Sequence, residues 1–304
     1  MLDRYVAQAR LLVEMLPEVA KESNFALKGG TAINLFHRDL PRLSIDIDLT
    51  WLPLGDRSTS LSDIDRALDR IAASINRRNP GIRAIRPQGR GSGDLKIIVR
   101  RGRAQIKIET SPVARGAVHP PVGMVTSESV MEQFGFAEMN VLAFEELYAG
   151  KLVAALDRQH PRDLFDVKLL YENEGMTDDL FRTFLVYVAS SSRPMHELLA
   201  PDSSNWGERF QTEFAGMARN PVSMEALIQT ELRLHMDIHA RLTGGVAEFL
   251  LSLHDAQPDF GLIGLPQASE LPAVRWKLRN LAALKNNNQA KHAVQRDALK
   301  KLLC

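Results

Sequence analysis

Two aspartates and a later glutamate are the residues of this sequence whose spacing could do chemistry. Asp46 and Asp48 flank the apolar Ile47, so an extended strand would carry both carboxylates on one face, about 6.5 Å apart. Like charges at that spacing repel each other, and a bound cation would relieve the repulsion. Carboxylate oxygens suit Mg²⁺, and Glu109 is a third acid, on the polar face of a later strand. The spacing therefore predicts a site for one or two divalent cations.

A double glycine precedes this pair, between an apolar segment and a helix-like one. Gly29 and Gly30 follow the predicted strand, and Thr31 is placed to cap the helix that comes next. Backbone amides that glycines leave accessible at a helix start are a natural cradle for phosphate. A phosphate-binding turn beside three acids fits two-metal phosphoryl or nucleotidyl transfer.

Strands and helices must hold these residues in place, and hydrophobic periodicity predicts where they lie. We predict strands over 25–28, 43–51, 95–101 and 103–109, the last two forming a hairpin at Gly102. We predict helices over 3–21, 61–75, 144–157, 163–171, 178–188, 223–241, 246–253 and 271–303, and a loop over 193–207. The pattern indicates an α+β fold, with a mixed sheet and flanking helices over 1–125 and a mainly helical domain over 126–304.

Composition excludes several classes of protein. The chain has 304 residues, of which 45% are apolar and 25% charged, so collagen, coiled coil and bulk disorder are ruled out. No apolar stretch is long enough to span a membrane, and the first residues lack the apolar core of a signal peptide. The single cysteine, Cys304, cannot form an intrachain disulfide, which suits a reducing compartment. We expect a cytoplasmic protein with no membrane partner.

Positive charge is concentrated in two segments of a nearly neutral chain. Residues 77–107 carry a net charge of +9 and residues 271–304 a net charge of +7, against +1 for the whole chain. Such segments are typical of contacts with a polyanion. The alternative is a solvated surface whose charge partners lie elsewhere in the fold.

The motifs together resemble a known family. Gly29-Gly30-Thr31, followed by Arg42-x-Ser44-x-Asp46-x-Asp48, is similar to the nucleotidyltransferase superfamily of DNA polymerase beta type. More narrowly, the chain resembles the AbiEii/AbiGii-type toxin nucleotidyltransferases, which include the mycobacterial MenT enzymes. The later run from Lys151 through Arg162-Asp163-Leu-Phe-Asp166 resembles the family's Lys…Arg-Asp-x-x-Asp motif. The likeness covers residues 25–170. It departs from the superfamily in a slightly longer spacing between glycines and aspartates, and in threonine where serine is usual.

The resemblance implies roles for the matching residues. The nucleotide would be held by Gly29, Gly30, Thr31, Arg42, Ser44 and Lys151. The metal ligands would be Asp46, Asp48 and Glu109, binding Mg²⁺, with Mn²⁺ as an alternative. The residues required for catalysis would be Asp46, Asp48, Lys151 and Asp166.

The resemblance also implies a function. The chain would be the toxin of a bacterial toxin–antitoxin, abortive-infection-type pair, with its antitoxin encoded nearby. It would move a nucleoside monophosphate from a nucleoside triphosphate to an acceptor hydroxyl, that of a tRNA 3′ end, with segments 77–107 and 271–304 contacting the RNA. Two alternatives stay open: a small-molecule, antibiotic-type nucleotidyltransferase, and a catalytically silent nucleic-acid-binding module.

Structural explanations compete for the residues of the second motif. Lys151 lies on an amphipathic helix, where an exposed lysine is ordinary. Asp166 follows Arg162 by four residues, the spacing of a helical ion pair. Asp163 follows His160-Pro161 and could cap a helix. The resemblance favours function for Lys151 and Asp166 and leaves Asp163 open.

Overall fold

The computed structural model describes residues 3–87, 95–201 and 207–303. Arg90 and Asp94, which contribute to the basic segment 77–107, and the single cysteine, Cys304, lie outside the described residues. The chain divides into two compact units: Met1–Leu147 with Gly216–Pro221, and Tyr148–Ala215 with Val222–Cys304. The division into functional domains after residue 125 stays a prediction.

The first unit contains the sheet and the helices that flank it. Its elements are α1 (Asp3–Val19), β1 (Phe25–Lys28), α2 (Gly29–Ala32, followed by a π-helical turn over Ile33–His37), β2 (Asp46–Trp51), α3 (Arg57–Arg78), β3 (Arg83–Ile85), β4 (Lys96–Arg101), β5 (Ala104–Thr110), β6 (Val122–Val125), α4 (Glu128–Phe134), β7 (Glu138–Val141) and the start of α5 (Phe144–Arg158).

In the part of the chain that the structure describes, seven strands form one mixed sheet in the order β3-β4-β5-β2-β1-β7-β6. The pairs β2–β5 and β1–β7 are parallel, and the other neighbouring pairs are antiparallel. On β2 the apolar Ile47 and Leu49 are fully buried, whereas Asp46 and Asp48 are half-buried on the opposite face. The α+β prediction, with a mixed sheet near the N-terminus, is confirmed. So is the β4–β5 hairpin, where Gly102 has a φ of +56°, a left-handed conformation that glycine adopts without strain.

The strand that carries the aspartates begins later than its alternating pattern predicts. The prediction of a strand from Leu43 was wrong, because β2 starts at Asp46. The backbone N–H of Leu43 donates to the Met217 carbonyl at 3.0 Å, and Arg42 forms an isolated bridge with Ala218. These residues therefore pair with a later segment of the same unit and enter the sheet only at the first acid.

Thr31 does not cap the helix after the double glycine, so that prediction was also wrong. Helix α2 already begins at Gly29, with Lys28 as its N-cap residue and no side-chain capping bond. Thr31 is fully buried, and its hydroxyl donates to the backbone carbonyl of Asp46. Its hydroxyl thereby ties α2 to the first residue of β2.

In its described residues the second unit consists of helices joined by loops and turns. It contains the rest of α5, then α6 (Pro161–Asn173), α7 (Asp178–Ser190), α8 (Met195–Leu199), α9 (Gly207–Arg209, followed by a π-helical turn over Phe210–Phe214), α10 (Met224–His239), α11 (Gly245–His254), 3-10 turns over Phe260–Ile263 and Pro266–Glu270, α12 (Pro272–Asn287) and α13 (Gln289–Leu302).

Two of the helical predictions need correction. The single helix predicted over 271–303 is two helices, because Asn288 leaves the helical conformation and its side chain caps α13 by accepting from the Lys291 N–H at 3.0 Å. The loop predicted over 193–207 contains the short helix α8, and its residues 202–206 lie outside the described residues. Among the helices of the described residues, none has the length and apolar character needed to cross a membrane.

Candidate active site

A row of four charged residues crosses the middle of the sheet. Lys28 on β1 lies opposite Asp48 on β2, Asp48 lies opposite Glu109 on β5, and Glu109 lies opposite Lys96 on β4. Residues in register on neighbouring strands share a face of the sheet. All four line a cavity of about 310 Å³. The structure therefore brings two of the three predicted metal ligands side by side, with a lysine at each end of the row.

Asp46, the third predicted ligand, lies next to a further lysine. Lys107 on β5 is directly opposite Asp46, and its Nζ is 3.8 Å from Asp46 Oδ1 and 3.4 Å from Glu109 Oε2. Burial opposes the charged ammonium, but the nearby carboxylates of Asp46, Glu109 and Asp48 outweigh it and raise the pKa of Lys107. Sequence reasoning missed Lys28, Lys96 and Lys107, since strand register, which no motif encodes, places them beside the acids.

The donor set suits a hard divalent cation by its chemistry. Asp46, Asp48 and Glu109 offer only carboxylate oxygens and share one face of the sheet. Within the described ranges, no three His, Cys, Asp or Glu side chains already form a metal-binding group. The residues present therefore fit a cation as ligands without being a preformed cage, and their role as its ligands stays a prediction.

The double glycine lets other site residues approach the backbone closely. Gly29 has a φ of +72°, and a Cβ placed on it would lie 2.5 Å from Asp48 Oδ2. A Cβ on Gly30 would lie 2.7 Å from Arg42 Nη2 and 3.3 Å from Ser44 Oγ. Any larger residue at either position would displace a side chain of the candidate site. The structure thus brings Gly29 and Gly30 together with the residues predicted to act beside them.

Thr31, Arg42 and Ser44 are buried around this turn. The Thr31 hydroxyl lies 2.8 Å from Ser44 Oγ, and the Arg42 guanidinium donates to the Leu43 carbonyl at 2.9 Å. The Thr31 hydroxyl therefore bonds within the protein, to the segment that leads into β2. Contacts of Thr31, Arg42 and Ser44 with a nucleotide stay a prediction.

The second motif forms a buried ionic cluster within the helical unit. Lys151 Nζ lies 3.0 Å from Asp163 Oδ1 and 2.9 Å from Asp166 Oδ2, and all three residues are at most 6% exposed. The idea of an exposed lysine at 151 was therefore wrong. The carboxylate of Asp166 pairs with Lys151 of the preceding helix α5, and Asp166 lies four residues after Arg162 on α6.

Asp163, which sequence reasoning left open, is the centre of this cluster. Arg158 donates to both of its oxygens, from Nε at 2.5 Å and from Nη2 at 2.8 Å. Burial alone would raise the pKa of Asp163, but Lys151 and Arg158 outweigh burial and hold that pKa well below the usual carboxyl range. His160, rather than Asp163, caps α6, because its ring accepts from the Arg162 N–H at 3.1 Å.

Glu146 is a buried carboxyl of the first unit that the sequence did not indicate. It is 2% exposed, and its Oε1 accepts from the Val118 N–H at 2.8 Å. Burial raises the pKa of Glu146 to about 7, although the backbone amides of Val118 and His119 act in the opposite direction. The folded protein therefore binds a proton here at pH values where the unfolded chain has lost it.

We expect Glu146→Gln to reduce the loss of stability between pH 4.5 and 7. Because the folded pKa is the higher one, Glu146 lowers the free energy of unfolding progressively as the pH rises through that window. Relative to wild type, the free energy of unfolding of the variant should rise by about 3 kcal/mol between pH values below 4.5 and pH 8. Urea unfolding of both proteins at pH 5 and pH 8 measures this difference, and parallel pH profiles would contradict it.

Some of the basic residues of segment 77–107 form ion pairs with carboxylates of the first unit. Arg86 pairs with Asp65 at 2.5 Å, and Arg101 pairs with Glu14 at 2.5 Å. Arg103 is exposed at the hairpin turn. The alternative in which charge partners lie elsewhere in the fold is therefore correct for some of these residues, and contact of the rest with RNA stays a prediction.

The basic segment 271–304 is also partly engaged. Lys277 is buried, donates to the Arg193 carbonyl at 2.5 Å, and has its pKa lowered to about 8 by burial. Arg296 forms a two-pronged ion pair with Asp255, with its shortest contact at 2.8 Å. Lys277 is therefore not a surface contact for a polyanion, and Arg296 already has a carboxylate partner.

The fold is similar to that of a protein of known structure. MenT4, a nucleotidyltransferase toxin from Mycobacterium tuberculosis, has a similar structure over 92% of this chain and 93% of its own, with a TM-score of 0.58 and 18% sequence identity. JHP933 from Helicobacter pylori matches over 79% of this chain and 96% of its own, with a TM-score of 0.45 and 16% identity. None of the curated proteins compared with the chain matches it.

The sequence itself settles the family. Residues 10–280, most of the chain and both of its motifs, match the family described as nucleotidyl transferase AbiEii toxin of type IV toxin–antitoxin systems. The MenT4 likeness agrees with that match at the level of fold. The chain thus belongs to the AbiEii toxin family and is a nucleotidyltransferase.

Proposed function

We propose that this nucleotidyltransferase transfers a nucleoside monophosphate from a nucleoside triphosphate to the 3′ hydroxyl of a tRNA. The acceptor oxygen forms a bond to the α-phosphorus, the bond from that phosphorus to the α–β bridging oxygen breaks, and pyrophosphate leaves. The hydroxyl proton goes to solvent. Nucleoside triphosphates and tRNA are cytoplasmic, so we place the reaction in the cytoplasm, with an antitoxin as the partner that the family implies.

The carboxylate set is the observation that carries the proposal. Asp48 and Glu109 lie side by side in a cavity, with Asp46 two residues before Asp48 on the same strand face. We assign Mg²⁺, or Mn²⁺ in its place, to these three side chains. A divalent cation there would lower the pKa of the acceptor hydroxyl and offset the charge of the departing pyrophosphate.

Lysines beside the acids support a polyphosphate ligand. Lys28 and Lys96 line the same cavity as Asp48 and Glu109, and Gly29 follows Lys28 directly at the start of α2. Ammonium groups and helix-start amides both favour phosphate oxygens. The role of these groups is to hold the triphosphate while its α-phosphorus faces the acceptor.

An arginine-lined cleft supports a nucleic-acid acceptor. Arg10 on α1 and Arg101 and Arg103 at the hairpin turn line a cavity of about 390 Å³ in the first unit, with Val6, Ala7 and Ala104. Arg10 and Arg103 are both exposed. Arginine suits phosphate through its planar array of donors. We assign the predicted RNA contact of segment 77–107 to this cleft.

The double variant Arg10→Ala/Arg103→Ala is expected to weaken tRNA binding and reduce its dependence on salt. Each lost phosphate contact should lower the slope of log K against log salt by about 0.7 to 0.9. Fluorescence anisotropy with labelled tRNA from 50 to 300 mM NaCl measures both quantities. Arg66→Ala removes an exposed arginine that pairs with Asp63 on α3 and serves as the control. Equal slopes for wild type and the double variant would contradict the proposal.

Radiolabel transfer tests the proposed reaction directly. Purified protein is incubated with Mg²⁺, total tRNA and each of the four α-³²P nucleoside triphosphates in turn. We expect label in tRNA with at least one nucleotide, lost when Mg²⁺ is chelated. Label that instead appears in a small-molecule fraction of a cell extract would replace the tRNA acceptor with a small-molecule one.

A further inference from the structure

Three lysines balance three acids on the polar face of the sheet. Each lysine lies opposite one acid on a neighbouring strand: Lys28 opposite Asp48, Lys96 opposite Glu109, and Lys107 opposite Asp46. Of these lysines, Lys107 forms ion pairs with two of the acids in the described part of the chain, at 3.8 Å and 3.4 Å. The repulsion expected from the sequence between the acids is therefore already offset by the protein itself.

A lysine in this position competes with any divalent cation. Its ammonium lies within 4 Å of one oxygen of Asp46 and one of Glu109, and both acids belong to the proposed cation site. The side chain of Lys107 is 42% exposed, on a flexible four-carbon stem. It can therefore move toward solvent without disturbing the buried face of β5, where Ile106 and Ile108 lie.

We propose that Lys107 is an internal counter-ion that holds Asp46 and Glu109 together before a divalent cation binds and is displaced when it does. Lys107 is then a positioning residue that sets the cation affinity of the site. This inference rests on the cation site of the proposed function. The competing view, an ordinary surface ion pair with no bearing on metal binding, predicts a different result in the same experiment.

Titration with Mn²⁺ alone, without nucleotide, tests the inference by calorimetry. Lys107→Met keeps the length of the side chain and removes its charge, and we expect it to bind Mn²⁺ about ten-fold more tightly than wild type. Lys107→Arg keeps the charge and should stay within about three-fold of wild type. Lys168→Met removes the lysine of an exposed helical pair with Glu172 and should leave affinity unchanged.

Melting temperature provides a second readout that does not depend on catalysis. Without metal, Lys107→Met leaves the acids without this counter-ion, so it should melt below wild type. Saturating Mn²⁺ should raise the melting temperature of Lys107→Met more than that of wild type. An equal Mn²⁺-induced shift in both proteins would overturn the inference.

Asp48→Asn separates failure of the inference from failure of the cation site. If wild type and Lys107→Met bind Mn²⁺ equally and Asp48→Asn abolishes binding, the cation site stands and the role of Lys107 is overturned. If Mn²⁺ binds none of the variants and shifts no melting temperature, both the site and the inference fall. Tighter binding by Lys107→Met that Asp48→Asn removes supports both.

Discussion

Asp48→Asn is expected to lower nucleotidyl transfer by at least about 10³-fold while leaving the sheet folded. Asparagine has the shape of aspartate but lacks its charge, so it cannot serve as a carboxylate ligand. Asp48 sits between Lys28 and Glu109 in the row, and its Oδ2 lies against the backbone of Gly29. A metal contributes several kcal/mol to charge stabilisation in the transition state, and each 1.4 kcal/mol corresponds to a factor of ten in rate.

Asp56→Asn is the matched control for this loss. Asp56 caps α3 in the same unit, accepting from the Thr59 N–H at 3.0 Å, and asparagine caps helices equally well. The α-³²P transfer assay should therefore give wild-type rates for Asp56→Asn and background rates for Asp48→Asn. Retention of more than a tenth of the wild-type rate by Asp48→Asn, with an unchanged melting temperature, would contradict its assignment as a ligand.

Growth of bacteria that express the protein gives the same prediction in cells. The family is one of toxins, so we expect wild type to arrest growth without its antitoxin. Asp48→Asn should restore growth at equal protein levels, measured by immunoblot. Arrest that persists with Asp48→Asn would show that toxicity does not come from nucleotidyl transfer at this site.

Alternation along one strand was enough to predict the shared face of the acids. A period of two places Asp46 and Asp48 on one side whatever the strand pairs with, and the structure confirms that face. The register between strands cannot be predicted from alternation along one strand, because it depends on which strands become neighbours. Lys107 lies opposite Asp46 only because β5 runs parallel to β2, and no local pattern states that pairing.

Burial of the second motif also lay beyond local reasoning. The pattern of α5 has no feature that distinguishes an exposed lysine from a buried one at position 151. Burial depends on α6 bringing Asp163 and Asp166 to the same point. The family resemblance pointed to Lys151 and Asp166, whereas the part played by Arg158 follows only from the structure.

Lys151→Met is expected to destabilise the helical unit by about 3 to 5 kcal/mol. Removal of one partner from a buried ion pair takes the nearby opposite charge away from the other partner in a poorly solvated place. Asp163 would keep Arg158, but Asp166, which is fully buried, would lose the ammonium 2.9 Å away. Urea unfolding at pH 7 measures the loss. Lys168→Met, at the exposed pair with Glu172, should cost less than about 1 kcal/mol.

The pH dependence of the cluster has a definite sign. The pKa of Asp163 is lower in the folded protein than in the unfolded chain, so its ion pairs stabilise the fold above the ordinary carboxyl range. That contribution is lost as the pH falls through the lowered pKa. The stability difference between wild type and Lys151→Met should therefore be constant near pH 7 and shrink on strong acidification.

Combining Lys151→Met with Asp166→Asn distinguishes the loss of charge compensation from the loss of packing. Asp166→Asn removes the carboxylate charge that faces Lys151. The double variant Lys151→Met/Asp166→Asn should therefore be more stable than the sum of the two single losses predicts, by about 1 to 2 kcal/mol. Additive losses would assign the cost to packing instead.

Because the double variant restores part of the fold, it also allows the transfer assay to be run on folded protein. Transfer that stays at background in the folded double variant supports a direct role for this pair in the reaction, and wild-type transfer would limit Lys151 and Asp166 to holding the helices together.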